Sequence, residues 1–313
     1  MPDNATPISI SDTLFDAVVV GGSTAGLNAA LLLGRSMRRT LVIDAGKPCN
    51  RTAPHAHNLL TRDGIPPDQL LSLAREQALH YPTISLLTDT VLTAETGPTG
   101  FVLTTAGGHR LQTRKLLLAT GVQDELLPIP GFAECWGRSV LHCPYCHGYE
   151  VRTDRLGVLA NGPIAADMVP LIHHWSQRLT LFTNGPATLT QPQRQLIDRL
   201  EVPLIETPVA ALAHQYGYLS AMHLTDGTSH PLDALFSRVP FRQSGNLAEQ
   251  LGCALTETGL VQTDAYGHST VPGVWVAGDA SSPMRSLSAA AAAGAAAAAF
   301  LNRALISDDL PVS

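Results

Sequence analysis

With 313 residues the chain is long enough for two domains and a sizeable core. At 45% hydrophobic and 15% charged residues it has the make-up of a globular enzyme, which excludes a disordered or fibrous chain. A formal charge of −6 without a long basic run speaks against nucleic acid as a partner, and five cysteines (Cys49, Cys135, Cys143, Cys146, Cys253) are too few and too scattered for a secreted disulfide framework.

The first twelve residues, MPDNATPISISD, have no basic n-region and no apolar core, so they are not read as a signal peptide and a cytoplasmic location is expected. Residues 16–46, DAVVVGGSTAGLNAALLLGRSMRRTLVIDAG, predict a strand, a glycine turn, an alanine/leucine helix and a second strand ending at Asp44. Gly21, Ser23 and Gly26 hold the three glycine positions of a βαβ dinucleotide motif, with Asp44 eighteen residues after Gly26. In such a motif the first glycine permits the tight turn and the third lets the helix pack closely on the strand. The turn amides and helix N-terminus then face a pyrophosphate, and the acid accepts from ribose hydroxyls. Ser23 departs from glycine where backbone comes nearest the phosphate, but it is small enough to be tolerated. The following loop, KPCNRTAPHAHNLLTRDG, offers Asn50, Arg51 and His57 as candidate cofactor contacts, against the plainer reading of a polar surface loop.

KLLLATG, residues 115–121, is the expected exit from this first segment, and LHCPYCHGYE follows at residues 141–150. Two cysteines two residues apart, each with a histidine on its outer side, permit several chemistries. Zinc wants four converging ligands, and no second Cys-x-x-Cys completes a site; His142 and His147 would crowd four ligands into six residues. A c-type haem, through Cys-x-x-Cys-His, is normally attached after export. A glutaredoxin-like dithiol belongs near the start of its own small domain. A structural disulfide, or two inert thiols, is the bland alternative to a dithiol working beside another redox cofactor. Such a dithiol needs a base, since thiolates attack and thiols do not. His147 is suited to accept a proton near neutral pH, with His142 as the alternative.

Residues 155–185, RLGVLANGPIAADMVPLIHHWSQRLTLFTNG, repeat the βαβ pattern in degraded form. Ala160, Gly162 and Ala165 occupy the glycine positions, Thr183 stands where the ribose acid would be, and no arginine follows until Arg194. NADP binding is doubtful on this reading. ALFSRVPF, residues 234–241, is the expected return crossover. Residues 270–299 then predict a strand into Gly278-Asp279 and a small-residue helix, an arrangement able to hold flavin hydroxyls and stabilise charge on a reduced ring. Its apolar core, SAAAAAGAAAAAFL at 288–301, is shorter than a bilayer span and reads as a helix that lets other backbone or a cofactor come close.

GGSTAG, LVIDAG, LLLATG, the central Cys-x-x-Cys and GVWVAGD, in that order, resemble the low-molecular-weight thioredoxin reductase family over nearly the whole chain. The resemblance implies an α/β fold of two Rossmann-like domains: an FAD domain in two segments (1–120 and 242–313) around an inserted NAD(P)-type domain (121–241) carrying the dithiol, in a homodimer. It carries cofactor contacts onto Gly21, Gly22, Ser23, Thr24, Ala25, Gly26 and Asp44, onto Asn50, Arg51 and His57, onto Val91, Ala119 and Gly121, and onto Gly278, Asp279, Arg285 and Ser286. Within the family, HCPYCHGYE is most similar to the gliotoxin-, holomycin- and romidepsin-type dithiol oxidases. His147 stands where the reductases have aspartate, and Arg285-Ser286 where they have Arg-Gln. By the family pattern Cys146 faces the flavin and Cys143 exchanges with substrate. Catalysis is assigned to Cys143, Cys146 and His147, with His142 in reserve, acting on a small dithiol with oxygen rather than NADP as acceptor and without membrane or nucleic acid; an NAD(P)H-dependent disulfide reductase and a flavin-bearing redox sensor are the alternatives. Cys49, Cys135 and Cys253 are read as buried small hydrophobes.

Overall fold

The computed structural model describes residues 13–310; the segment read as lacking a signal peptide lies outside the described residues. The chain divides into two compact units. One takes the chain up to Cys49, Asp68–Gln123 and everything from Arg242 on, and the other takes Asn50–Pro67 and Asp124–Phe241.

In the first unit, β1 (Leu14–Val20), α1 (Thr24–Arg35), β2 (Thr40–Asp44), α2 (Pro67–Leu79) and β3 (Ile84–Thr88) build a parallel edge that is extended by β4 (Val91–Gly97), β5 (Gly100–Thr105) and β6 (Arg110–Leu118). The strand order is β3-β2-β1-β6-β5-β4. The first half of β6 pairs antiparallel with β5, while Leu116–Leu118 pair with a strand from the far end of the chain. β1 is nearly all apolar because it lies mid-sheet with helices to cover it, the usual make-up of a parallel strand buried on both faces. Val20 lies opposite both Ile43 and Leu118, so the turn at Gly21, Asp44 and Ala119 all leave the sheet at one carboxyl edge. That edge is where open α/β sheets bind ligands.

The chain crosses in β7 (Val122–Asp124). It then forms the one-turn α3 (Phe132–Cys135), β8 (Val140–Leu141), the one-turn α4 (Pro144–His147), β9 (Leu156–Leu159), α5 (Gly162–His173), β10 (Leu179–Phe182), α6 (Gln191–Arg199) and β11 (Leu204–Ile205). A meander of β12 (Val209–Gln215), β13 (Tyr218–Leu224) and β14 (Ser229–Pro231) leads to β15 (Ala234–Ser237) and the return strand β16 (Phe241–Gln243). The five-stranded sheet of this unit is parallel, in the order β11-β10-β9-β15-β8. Leu141 lies opposite Phe236, so the dithiol helix α4 starts at the carboxyl edge of this second sheet.

Back in the first unit, α7 (Leu247–Gln250) precedes β17 (Val274–Val276), the partner of β6, and α8 (Leu287–Asp309) ends the described chain. α8 packs on α1 with almost no space between: a Cβ on Gly294 would lie 2.1 Å from the Ala25 carbonyl oxygen. Ala297, Ala298, Leu301 and Leu305 continue the buried stripe. The helix runs past the predicted 288–301, because Ala304 and Leu305 keep an apolar face on the core after the alanine tract ends. By length and composition alone it could cross a membrane.

Three sequence readings are corrected. Residues 50–67 group with the dithiol unit rather than the first segment: Ala56 bridges Ile65, and the Thr52 side chain lies where a Cβ on Gly137 would fall. ALFSRVPF is not itself a crossover. Its ALFS half is β15, wholly buried between β9 and β8, and the chain returns to the first unit at Arg242. Cys135 and Cys253 are buried as expected, but Cys49 is exposed, in the loop that follows β2.

Candidate active site

The cradle at the first carboxyl edge is shaped by close approach. Gly21 has φ of 107°, and a Cβ on Gly26 would fall 1.8 Å from the Gly21 carbonyl oxygen, so both positions need glycine. A Cβ on Gly22 would meet the Asp44 side chain at 2.7 Å, which places the turn directly beside the acid. Ser23 is the N-cap of α1 but its side chain makes no cap hydrogen bond, and no acid stands in the first turn. The first-turn amides at Thr24, Ala25 and Gly26 therefore present the donors and partial positive charge that a pyrophosphate takes up. One Asp44 oxygen receives Arg75 Nη2 at 2.9 Å; a carboxylate still has acceptor sites for a ribose. Arg75, on α2, has no signature in the sequence motif.

Other predicted contacts sort by position. Ala119 follows β6, its carbonyl against Gly21, and Gly121 is left-handed with open space where a side chain would be. Val91 starts β4 with its side chain in the core. Gly278 and Asp279 lie in a 3-10 turn after β17, with Asp279 Oδ2 3.7 Å from Cys49 Sγ and 3.5 Å from Arg285 Nε. Ser286 caps α8 by accepting from the Ala289 amide at 3.2 Å, so part of that helix end is satisfied from within. The residues present at this edge fit a dinucleotide.

In the second unit Cys143 and Cys146 are joined in a disulfide, with Cα atoms 5.3 Å apart. Cys143 is the N-cap of α4 and Pro144 its first residue, a position where the missing proline N–H costs nothing. Sulfurs so joined are not thiolate ligands, and among the described residues no group of three or more histidine, cysteine or acidic side chains could hold a metal. His147 closes the turn, half-buried. Burial pushes its pKa below the usual histidine value, against a nearby Glu150 that favours the proton and a His57 that opposes it. That direction favours the free-base imidazole at neutral pH. His142 is held otherwise, stacked on Trp136 with ring centroids 6.0 Å apart.

His57, read from sequence as a cofactor contact, lies with these groups. Its Nε2 is 3.6 Å from Glu150 Oε1 and its Nδ1 is 3.6 Å from Asp63 Oδ1. Asn50 and Arg51 belong to the same unit. Sequence reasoning missed Glu150, although it stands only three residues beyond His147, in the turn that follows α4. Nothing in the pattern could have found Asp63.

The degraded second motif is filled by its own side chains. Asn161 caps α5, its Oδ1 accepting from the Gly162 amide and the Thr188 amide, each at 2.8 Å, while its Nδ2 donates to Pro186 O at 2.9 Å. Thr183, at the position of the ribose acid, donates its hydroxyl to Gly185 O at 2.7 Å. The Asn161 side chain, the Gly162 and Thr188 amides and the Thr183 hydroxyl in this turn are thus paired within the chain.

Relatives of known description share this plan. Thioredoxin reductase tcpT of Claviceps purpurea is 32% identical over 88% of this chain and 90% of its own length, and sirT of Leptosphaeria maculans 30% over 88% and 89%. Among solved structures, HlmI superposes with a TM-score of 0.90 at 36% identity, covering 95% of this chain and 94% of HlmI. An oxidoreductase from Agrobacterium tumefaciens superposes at 0.89 and 36%, covering 95% of this chain and 100% of its own. The family implies bound FAD, and the first cradle suits it. The profile of the pyridine nucleotide-disulphide oxidoreductase family matches residues 15–297, and the chain belongs to that family as a thioredoxin reductase-like, flavin-dependent thiol/disulfide oxidoreductase.

Proposed function

We propose that the protein is a dithiol oxidase that closes an intramolecular disulfide in a small-molecule dithiol. The observation that carries this direction is the second motif: the Asn161 side chain takes up the Gly162 and Thr188 amides at the turn where the pyrophosphate of a nicotinamide dinucleotide would sit. Electrons then enter by way of the thiols. The substrate class, a small dithiol rather than a thioredoxin-like protein, rests on the resemblance of HCPYCHGYE.

In the reaction one substrate thiolate, its proton lost to solvent, attacks Cys143 Sγ. The Cys143–Cys146 bond breaks, Cys146 leaves as thiolate, and substrate is held on Cys143 as a mixed disulfide. His147 accepts the proton of the second substrate thiol, which attacks the substrate sulfur bound to Cys143. The product disulfide forms and Cys143 leaves with its electron pair, so substrate is oxidised by two electrons and the enzyme pair is reduced. Bound FAD would supply the sink for that electron pair, with oxygen as final acceptor. FAD is assigned to Gly21–Gly26, Asp44, Ala119, Gly121, Gly278 and Asp279, with its anionic part at the α1 N-terminus.

Anaerobic rapid mixing tests the direction. Dithiothreitol should bleach the flavin of the wild-type protein quickly, and NADPH slowly or not at all. Bleaching by NADPH at catalytic rates, with dithiols inert, would falsify the oxidase reading and favour a disulfide reductase.

A further inference from the structure

We propose that His57 is a positioning residue for the His147 base: placed between Asp63 and Glu150, it claims the Glu150 carboxylate and so keeps the His147 imidazole free to take a thiol proton. The inference rests on the reading of His147 as that base. Its ground is geometric. The loop 50–67 belongs to the dithiol unit, and it brings the His57 ring nitrogens to 3.6 Å from Asp63 Oδ1 on one side and 3.6 Å from Glu150 Oε1 on the other. Glu150 stands three residues beyond His147, and the His147 carbonyl accepts from the Val151 amide at 3.4 Å, so the chain is still turning where Glu150 leaves it.

Carboxylates and imidazoles alternate along this array: Asp63, His57, Glu150, His147. A carboxylate alone beside a half-buried histidine would favour the imidazolium, which cannot accept a proton from a thiol. A proton on His57 would oppose that effect from the far side of Glu150, and Asp63, 3.6 Å from Nδ1, is placed to accommodate it. The directions agree with what acts on His147, where burial is the largest cause and lowers its proton affinity, Glu150 raises it and His57 lowers it. Near the array lie His55, with its ring 6.4 Å from that of His57, Arg152, whose guanidinium sits over the Tyr149 ring beside Glu150, and the Cys143–Cys146 pair, which is uncharged while oxidised. His57 is the most buried of the three groups it joins, with 20% of its side chain exposed against 40% for Glu150 and 69% for Asp63. A proton there would therefore be screened least of the three.

The test follows His147 itself, in holoenzyme labelled with 13C at histidine Cε1, its resonance assigned by its absence in His147→Ala. In His57→Gln the His147 titration midpoint should rise by about one pH unit, the lower end of what a neighbouring charge does. In Glu150→Gln it should fall, and Glu150→Gln should cancel the effect of His57→Gln in the double variant. His57→Lys, which supplies a cation, should return the midpoint toward wild type, as a role in holding the loop alone would not. A midpoint unmoved in both His57→Gln and Glu150→Gln overturns the proposal; the exposed Glu150 keeps the test open should His57→Gln fold poorly. The pH profile of flavin bleaching by dithiothreitol separates this proposal from the reading beneath it. If the midpoint moves but the acid limb of the profile does not follow, the His57 coupling stands and His147 is not the base.

Discussion

As the proposed base, His147 is suited to neutral pH by its partial burial, and the sign of that effect fixes a pH profile. The base must be unprotonated to act. Burial holds its pKa below 6.5, so the rate of dithiol-driven reduction should climb through a limb lying under pH 6.5 and be flat at neutrality. His147→Ala should keep flavin and both thiols but slow reduction by roughly 10²- to 10⁴-fold, the range for losing a general acid/base. The lost limb should be replaced by one that rises with hydroxide toward the substrate thiol's own pKa, around 8.5. Stopped-flow rates between pH 5 and 9 check it, and a His147→Ala profile that keeps the wild-type limb moves the role elsewhere. At this scale the sequence was a partial guide. The dithiol and its flanking histidines are contiguous, so they could be read directly. The environments that separate the two histidines come from Trp136 on one side and from Glu150 and the loop of His57 on the other, and such neighbours are set by packing.

Among the elements, α8 shows how a tract that looks featureless in sequence does specific mechanical work. Its alanines and Gly294 let it lie against α1 at the point where α1 begins the dinucleotide cradle. Gly294→Val would place a Cβ 2.1 Å from the Ala25 carbonyl, with only backbone there to yield. Overpacking of this kind costs roughly 1–3 kcal/mol, and here the strain falls on the first turn of α1. The variant should therefore melt lower and retain less flavin, while Ala292→Val on the exposed side should change stability by no more than about 0.5 kcal/mol. Differential scanning calorimetry and the flavin-to-protein absorbance ratio measure both effects. The two βαβ units, their glycine turns and the strand ahead of Asp279 follow from period and punctuation, which are local. The extent of α8 and the identity of ALFS as a central strand depend on which faces become buried, and that is decided only once the sheets are assembled.

For the whole molecule, the broad division was legible, since the dithiol lies between two runs that share one sheet. The boundary at residues 50–67 was not. That loop carries polar residues beside Asp44 in sequence, and its association with Gly137 and Glu150 is long-range. One consequence concerns how such a protein can be recombined. The dithiol unit is drawn from two stretches of chain, Asn50–Pro67 and Asp124–Phe241, so the backbone passes between units four times. It is not a cassette that a single exchange can move. A chimera taking only residues 124–241 from a relative pairs a foreign dithiol helix with a native His57 loop, whereas one taking both stretches keeps their contacts intact. The first should melt several degrees below the second, about what 1–2 kcal/mol produces in a chain of this size, and equal melting temperatures would show that the loop contributes little. Exchange of parts among such enzymes should therefore favour pieces that travel in pairs. Where a lone central segment has been exchanged, compensating changes should appear in the short loop after the first acid-bearing strand.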